Sequence, residues 1–242
     1  MVTEFAKDLV AKRIAGDIVW SNDYGRTLAK WREIFGVTKV EIAKLMDVSS
    51  SVITDYEKGR RIPGARFIKK FVEALLKYDE LNGWKVVKSL MKSFNVNVEA
   101  IIDVKEFEYP IPLEVIITSV KGLLLNSSLS RQYLYGYTIV DSISAIQNLS
   151  GNEFLQIMGT TSERALIFTK VSTGRSPMIA VRVAPIKPAT VILHGTKRVD
   201  SLAVSLAEKE GIPLILSLVR SLDELVNGLR NSIDLFTLTS KK

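Results

Sequence analysis

The hydrophobic period changes along the chain, and that change divides it. Through the first 94 residues apolar side chains recur at helical spacing. Phe5, Leu9, Val10 and Ile14 mark one helix, Phe67, Ile68, Phe71, Val72, Leu75 and Leu76 another, and Leu81, Trp84, Val87, Leu90, Met91 and Phe94 a third weakly interrupted by Gly83. From Arg164 onward the apolar runs become short and β-branched. ALIFTKV and MIAVRVA read as strands joined by a hairpin-like Ser172–Pro177 connection, and ATVILHG reads as a third. DSLAVSLAEKEG then reads as a helix stopped at Gly211, and IPLILS as a strand, which makes a β-α-β unit with parallel strands. Asn95–Pro112 loses the helical period and carries Pro110 and Pro112, so it reads as a linker. Beyond it Leu113, Ile116, Ile117, Val120, Leu123 and Leu124 continue as a helix face. Ser150-x-x-Glu153, ahead of Phe154, Leu155, Ile157 and Met158, and Ser221-x-x-Glu224 are capping boxes that open further helices. The expected fold is α+β and multidomain: an all-α domain over 1–94, a linker over 95–112, and a mixed α/β domain over 113–242.

The charge is unevenly placed. Residues 1–92 hold 18 Lys+Arg against 12 Asp+Glu, residues 93–242 hold 15 against 14, and residues 25–70 alone hold 11 against 5. A basic excess confined to one short segment is the footprint expected where phosphates are neutralised. With no Cys and a single His, structural zinc sites, thiol nucleophiles and disulfide frameworks are excluded, and no metal or cofactor is expected. Glu4, Lys7, Asp8, Lys12 and Arg13 break any signal-peptide core, and no apolar run approaches the roughly 20 residues that span a bilayer. A cytoplasmic protein without a membrane partner is the expectation.

Residues 26–71 give the basic segment a pattern. Thr38-x-x-Glu41 is a capping box opening a short helix with Val40, Ile42, Ala43 and Leu45. Met46-Asp47-Val48 makes a tight turn. Ser49 supplies the N-cap of a second helix whose Val52, Ile53 and Tyr56 point inward. Two short helices joined this way fit a major groove. The stretch resembles the DNA-binding domain of the Cro and lambda-repressor class, also called the XRE class, through Trp31-Arg32, Val37 to Ala43, Val48-Ser49, Ile53 to Gly59, and Pro63.

That resemblance implies a DNA-binding transcription regulator that reads double-stranded DNA as a homodimer. It assigns base reading to Ser50, Ser51, Thr54 and Asp55, whose carboxylate suits a cytosine amino group, and phosphate contact to Lys39, Ser49, Lys58, Arg60, Arg61, Arg66 and Lys69. The class often carries Gln where Lys39 and Ser50 stand, so bidentate contact to adenine is lost and DNA shape takes part of the readout. The whole chain is similar to an archaeal family of predicted transcriptional regulators, through YGYT (135–138), RALIFT (164–169), TGRSP (173–177) and LHG (193–195). The final β-α-β is similar to the DRTGG-type regulatory fold, without its naming motif.

In a β-α-β unit a ligand sits beyond the carboxyl ends of the strands. Thr173, Gly174, Arg175, Ser176, His194, Gly195 and Thr196 are therefore the candidate site for a small-molecule effector. No nucleophile, base and orienting group can be nominated, and a non-enzymatic protein is expected. Two alternatives stay open at this point: an enzyme or nucleotide-binding α/β domain tethered by the helix-turn-helix, and an adaptor bridging transcription or translation components.

Overall fold

The structure is a computed structural model describing residues 2–93, 100–128, 133–148 and 162–240. The capping box at Ser150-x-x-Glu153 with its helix, Phe94, and residues 95–99 of the expected linker lie outside the described residues. The chain divides into two compact units, Met1–Val98 and Glu99–Lys242.

The first unit is helical: α1 (Glu4–Val19), α2 (Tyr24–Ile34), α3 (Lys39–Leu45), α4 (Ser50–Glu57), α5 (Ala65–Leu81) and α6 (Lys85–Ser93). Its core gathers Val10, Ile14 and Ile18 of α1 with Leu28, Ile42, Ile53, Phe71, Leu75 and Val87. Gly83 lies between helices, not inside one: it and Trp84 both take positive φ, and the Asp79 carboxylate of α5 accepts from the Val86 and Val87 amides to cap α6.

The second unit is built on one six-stranded sheet of order β1-β3-β4-β5-β6-β2. Its strands are β1 (Ile101–Pro112), β2 (Gly122–Leu124), β3 (Tyr133–Asp141), β4 (Arg164–Thr169), β5 (Thr190–His194) and β6 (Leu214–Ser217). The inner four are parallel, including the β5–β6 pair expected from the β-α-β pattern, and both edges are antiparallel. The helices among its described residues are α7 (Leu113–Ser119), α8 (Ser142–Asn148), α9 (Arg175–Val183), α10 (Ser201–Glu210) and α11 (Leu222–Ser240).

Three expectations are corrected by this topology. Residues 101–112 form the edge strand β1, not a linker; Pro110 and Pro112 are tolerated because an edge strand has a side free of ladder bonds, and the register shifts between Glu106 and Ile111. Leu123 and Leu124 belong to β2, not to the helix face, which ends with α7. MIAVRVA lies mostly in α9, so Ser172–Pro177 is a strand-to-helix turn and no hairpin exists there. Gly174, at φ 78°, leads into the helix, and a Cβ there would meet Leu193 Cδ1 at 2.4 Å.

Both faces of the parallel strands are covered, as such sheets require. Ala165, Ile167, Ile192 and Ile215 share a core with Leu113 and Ile116 of α7 and Leu225, Leu229 and Ile233 of α11. The alternating Leu166, Phe168, Val191 and Leu193 are also buried. They face the other way, where α9 and α10 pack together and Gly174 rests on Leu193. The β4–β5 and β5–β6 connections carry α9 and α10, which right-handed crossovers place together on this face. Arg230 of α11 is tied to the sheet through Asp103 of β1, whose carboxylate also accepts from the Tyr137 hydroxyl at 2.7 Å.

Candidate nucleic-acid interface

The α3–turn–α4 segment forms as its residues dictate. Thr38 and Glu41 close the capping box: Thr38 Oγ1 accepts from the Glu41 amide, and Glu41 accepts from the Thr38 amide at 2.8 Å. Asp47 turns the chain at φ 52°, and the Val48 amide donates to Ala43 O. Lys70 of α5 donates to Met46 O at 2.8 Å, satisfying the carboxyl end of α3. Ile42, Ala43 and Ile53 are buried as expected, whereas Val40 is 68% exposed and faces out from α3. Val52 and Tyr56 are only partly covered, Tyr56 stacking on Phe67.

A buried ion pair holds this segment on α2. Arg32 Nε and Nη2 donate to the two Glu57 oxygens at 2.6 and 3.2 Å, and Nη1 donates to Val37 O at 3.1 Å. Glu57 raises Arg32 above its already high pKa, against the opposing effect of burial. One guanidinium thereby joins α2, the loop before α3 and the end of α4. The backbones of α2 and α4 also approach closely, since a Cβ on Gly25 would lie 2.5 Å from Glu57 O. In the sequence pattern Arg32 and Glu57 carry no structural role. A cation and an anion at helical positions of an apolar run are the signal that could have found the pair.

The base-reading candidates lie together on α4. Ser50 and Ser51 are exposed, and Thr54 and Asp55 are half-buried. Most are already engaged: Ser49 Oγ and Ser51 Oγ are 2.7 Å apart, and Thr54 Oγ1 donates to Ser50 O at 3.0 Å. Ser49 ends the turn as expected but makes no side-chain cap bond. The Asp55 carboxylate lies 3.2 Å from Arg60 Nη1 and 3.7 Å from Arg61 Nε. Among the phosphate candidates, Lys39 is drawn to Glu57 at 3.0 Å. Lys58, Arg66 and Lys69 are exposed and form no ion pair among the described residues.

The effector candidates of the second unit divide between two faces. Loops after β4 and β5 are tied by Thr196 Oγ1 to Ser172 O at 2.5 Å and by the Asp200 amide to Thr173 O at 2.9 Å. Arg175 pairs with Asp200. Thr173, Gly174, Arg175, Ser176, Gly195 and Thr196 thus occupy one neighbourhood at the carboxyl edge. His194 leaves it: its ring faces the α7 and α11 side, where Nδ1 lies 3.2 Å from Ser217 Oγ, itself a donor to Val120 O. Burial pushes His194 below its ordinary pKa, against the pull of Glu224. The four parallel strands β3, β4, β5 and β6 follow chain order, with no reversal among them of the kind that opens a crevice in other α/β sheets. Among the described residues no cluster of His, Cys, Asp or Glu is poised to hold a metal, and no helix is long and apolar enough to cross a membrane.

A capped helix, a tight turn and a second helix with an exposed hydroxyl face and flanking cations define a DNA-binding helix-turn-helix. Comparison with known proteins agrees. The family pattern described as HTH_3, Helix-turn-helix, matches residues 28–77. An "Uncharacterized HTH-type transcriptional regulator" of Methanocaldococcus jannaschii is 44% identical over 227 residues, covering 89% of this chain and 94% of that protein. A protein of the same description from Archaeoglobus fulgidus is 43% identical over 223 residues, covering 91% and 96%. The chain belongs to this family of archaeal HTH-type transcriptional regulators, as its sequence resemblance implied. Among solved structures, the CBS and DRTGG domains of the regulatory region of Clostridium perfringens pyrophosphatase, complexed with diadenosine tetraphosphate, align with 48% of this chain and 46% of that one at 14% identity and a TM-score of 0.36.

Proposed function

We propose that this regulator binds specific double-stranded DNA as a homodimer in the cytoplasm, without enzymatic activity of its own. In this reading α4 lies in the major groove with Ser50, Ser51, Thr54 and Asp55 toward the base edges, and Ser49, Lys58, Arg60, Arg61, Arg66 and Lys69 toward phosphates. The observation that carries it is the buried Arg32–Glu57 clamp, which fixes α4 so that its hydroxyl face and the cations at its end stand in solvent together. Two copies reading half-sites about one helical turn apart need a contact between chains, and we assign that contact, with the sensing of any small-molecule effector, to the second unit.

A genome-wide map of DNA bound to the chain tests the reading. A few sharp sites are expected, whereas diffuse coverage would refute sequence-specific binding and an absence of bound DNA would favour an adaptor. On a duplex from such a site, Arg60→Ala/Arg61→Ala should reduce the slope of log affinity against log salt by roughly 2 per protomer, about 0.9 for each lost phosphate contact. An unchanged slope overturns the phosphate assignment.

A further inference from the structure

We propose that Asp55 is a specificity-determining residue that makes the phosphate grip of Arg60 and Arg61 conditional on a cytosine in the major groove. The inference rests on the DNA-reading orientation of α4 proposed above. Gly59, at φ 69°, turns the chain back at the end of α4, and the Arg60 amide donates to Asp55 O at 2.9 Å. Both guanidiniums are thereby returned to the Asp55 carboxylate, Arg60 Nη1 at 3.2 Å and Arg61 Nε at 3.7 Å. The carboxylate is 26% exposed, against 63% and 55% for the two arginine side chains. The acid is therefore the more desolvated partner, and the arginines are free to leave it.

DNA changes the balance among these three groups. Phosphates attract the guanidiniums, and each one that moves to the backbone strips Asp55 of a partner. The carboxylate then faces a surface of like charge from a partly desolvated position, which is unfavourable on any duplex that offers no donor. Cytosine N4 supplies one, since an aspartate accepts from that amino group in the major groove. Non-cognate DNA is thus penalised by a group present in the free protein, and cognate DNA relieves the penalty. Such a repulsive element discriminates between partners as effectively as an added attraction. It also offsets the short hydroxyl readers Ser50, Ser51 and Thr54, which offer no bidentate contact.

The test compares the full chain with Asp55→Ala and Asp55→Asn on a random-sequence duplex pool of about 30 base pairs, long enough for two half-sites one helical turn apart, and selects preferred sites from a randomised library. Asp55→Ala should bind the random pool roughly tenfold tighter, the size of one base contact, and with a steeper salt dependence. Its selected sites should lose one cytosine position that the unmodified chain enriches, and Asp55→Asn should shift that position toward adenine. In an Arg60→Ala/Arg61→Ala background the same Asp55→Ala change should tighten binding to the random pool by less, because the repulsion from the phosphates remains to be relieved but no ion pair is left to be broken. Unchanged affinity for the random pool with both arginines present, or an identical selected motif, overturns the assignment. On the best selected duplex, failure of Arg60→Ala/Arg61→Ala to flatten the salt slope sinks the phosphate contacts themselves; a flattened slope with an inert Asp55 sinks this inference alone. Circular dichroism melts of each variant confirm that folded proteins are being compared.

Discussion

Removing either partner of the Arg32–Glu57 pair should lower the melting temperature of the DNA-binding unit substantially. The side chains are 11% and 4% exposed, and the guanidinium donates to both carboxylate oxygens and to Val37 O. Breaking a buried pair by deleting one partner costs about 3 to 5 kcal/mol, because the other charge stays desolvated. Arg32→Ala should fall at the lower end, since Lys39 remains 3.0 Å from Glu57. Glu57→Ala should be worse: the only other anion on Arg32 among the described residues is Glu33, 69% exposed, with which pairing is weak. For a unit this small, about 3 kcal/mol corresponds to roughly 12–24 °C in melting temperature. Calorimetry on the full chain reads the effect. Arg32→Met/Glu57→Leu, which removes both charges at similar volume, should recover most of the loss. Single variants that melt within a degree or two of the parent, or a double variant no better than the worse single, would refute the reasoning.

Gly25→Ala places a methyl 2.5 Å from Glu57 O, so α2 and α4 must part, and a loss of about 1–3 kcal/mol is expected in the same melting assay. Arg230→Ala leaves the buried Asp103 with Tyr137 as its remaining side-chain donor among the described residues. Because Arg230 is 47% exposed, the expected destabilisation of the second unit is about 1–2 kcal/mol, and an unchanged denaturant midpoint would contradict the role given to this pair. The depressed His194 pKa means that the folded state binds its proton less readily than the unfolded chain. Its contribution to stability is present above the unfolded value of about 6.5 and lost as pH falls through the lower folded value. His194→Asn should abolish that part of the pH dependence of unfolding; the same dependence in both proteins would exclude His194 as its source.

The helix-turn-helix is legible in the sequence because its determinants are local. Thr38 and Glu41 are three residues apart, and the apolar positions that enter the core keep to one helical period. The same locality makes β5, α10 and β6 readable. MIAVRVA misleads because Met178, Val181 and the alternating β-branched residues satisfy both periods, and strands buried on two faces do not alternate. What decides between the periods is Gly174 against Leu193, a contact between segments far apart in sequence. β1 is obscured by its prolines, which only an edge position permits. His194 and Thr173 group together in the sequence because both come at strand ends; the side-chain parity of β5, which aligns His194 with the buried Ile192, sends the ring to the other face.

The segmental charge that marks the DNA-facing unit also overstates what random DNA meets. Lys39 is held by Glu57, and Arg60 and Arg61 by Asp55, which leaves Lys58, Arg66 and Lys69 as the candidate cations without an ion pair among the described residues. Three phosphate contacts correspond to a salt slope of roughly 2.7 per protomer, and five, once both arginines are released, to roughly 4.5. Affinity for a cognate duplex should therefore depend more steeply on salt than affinity for random sequence. The two slopes would be equal if specific sites merely added neutral hydrogen bonds to a fixed electrostatic footprint. Fluorescence anisotropy titrations over roughly 50 to 300 mM salt on the two duplexes separate the cases. Parallel lines would mean that Arg60 and Arg61 reach phosphates on any DNA, and that the ion pairs with Asp55 do not survive the first encounter.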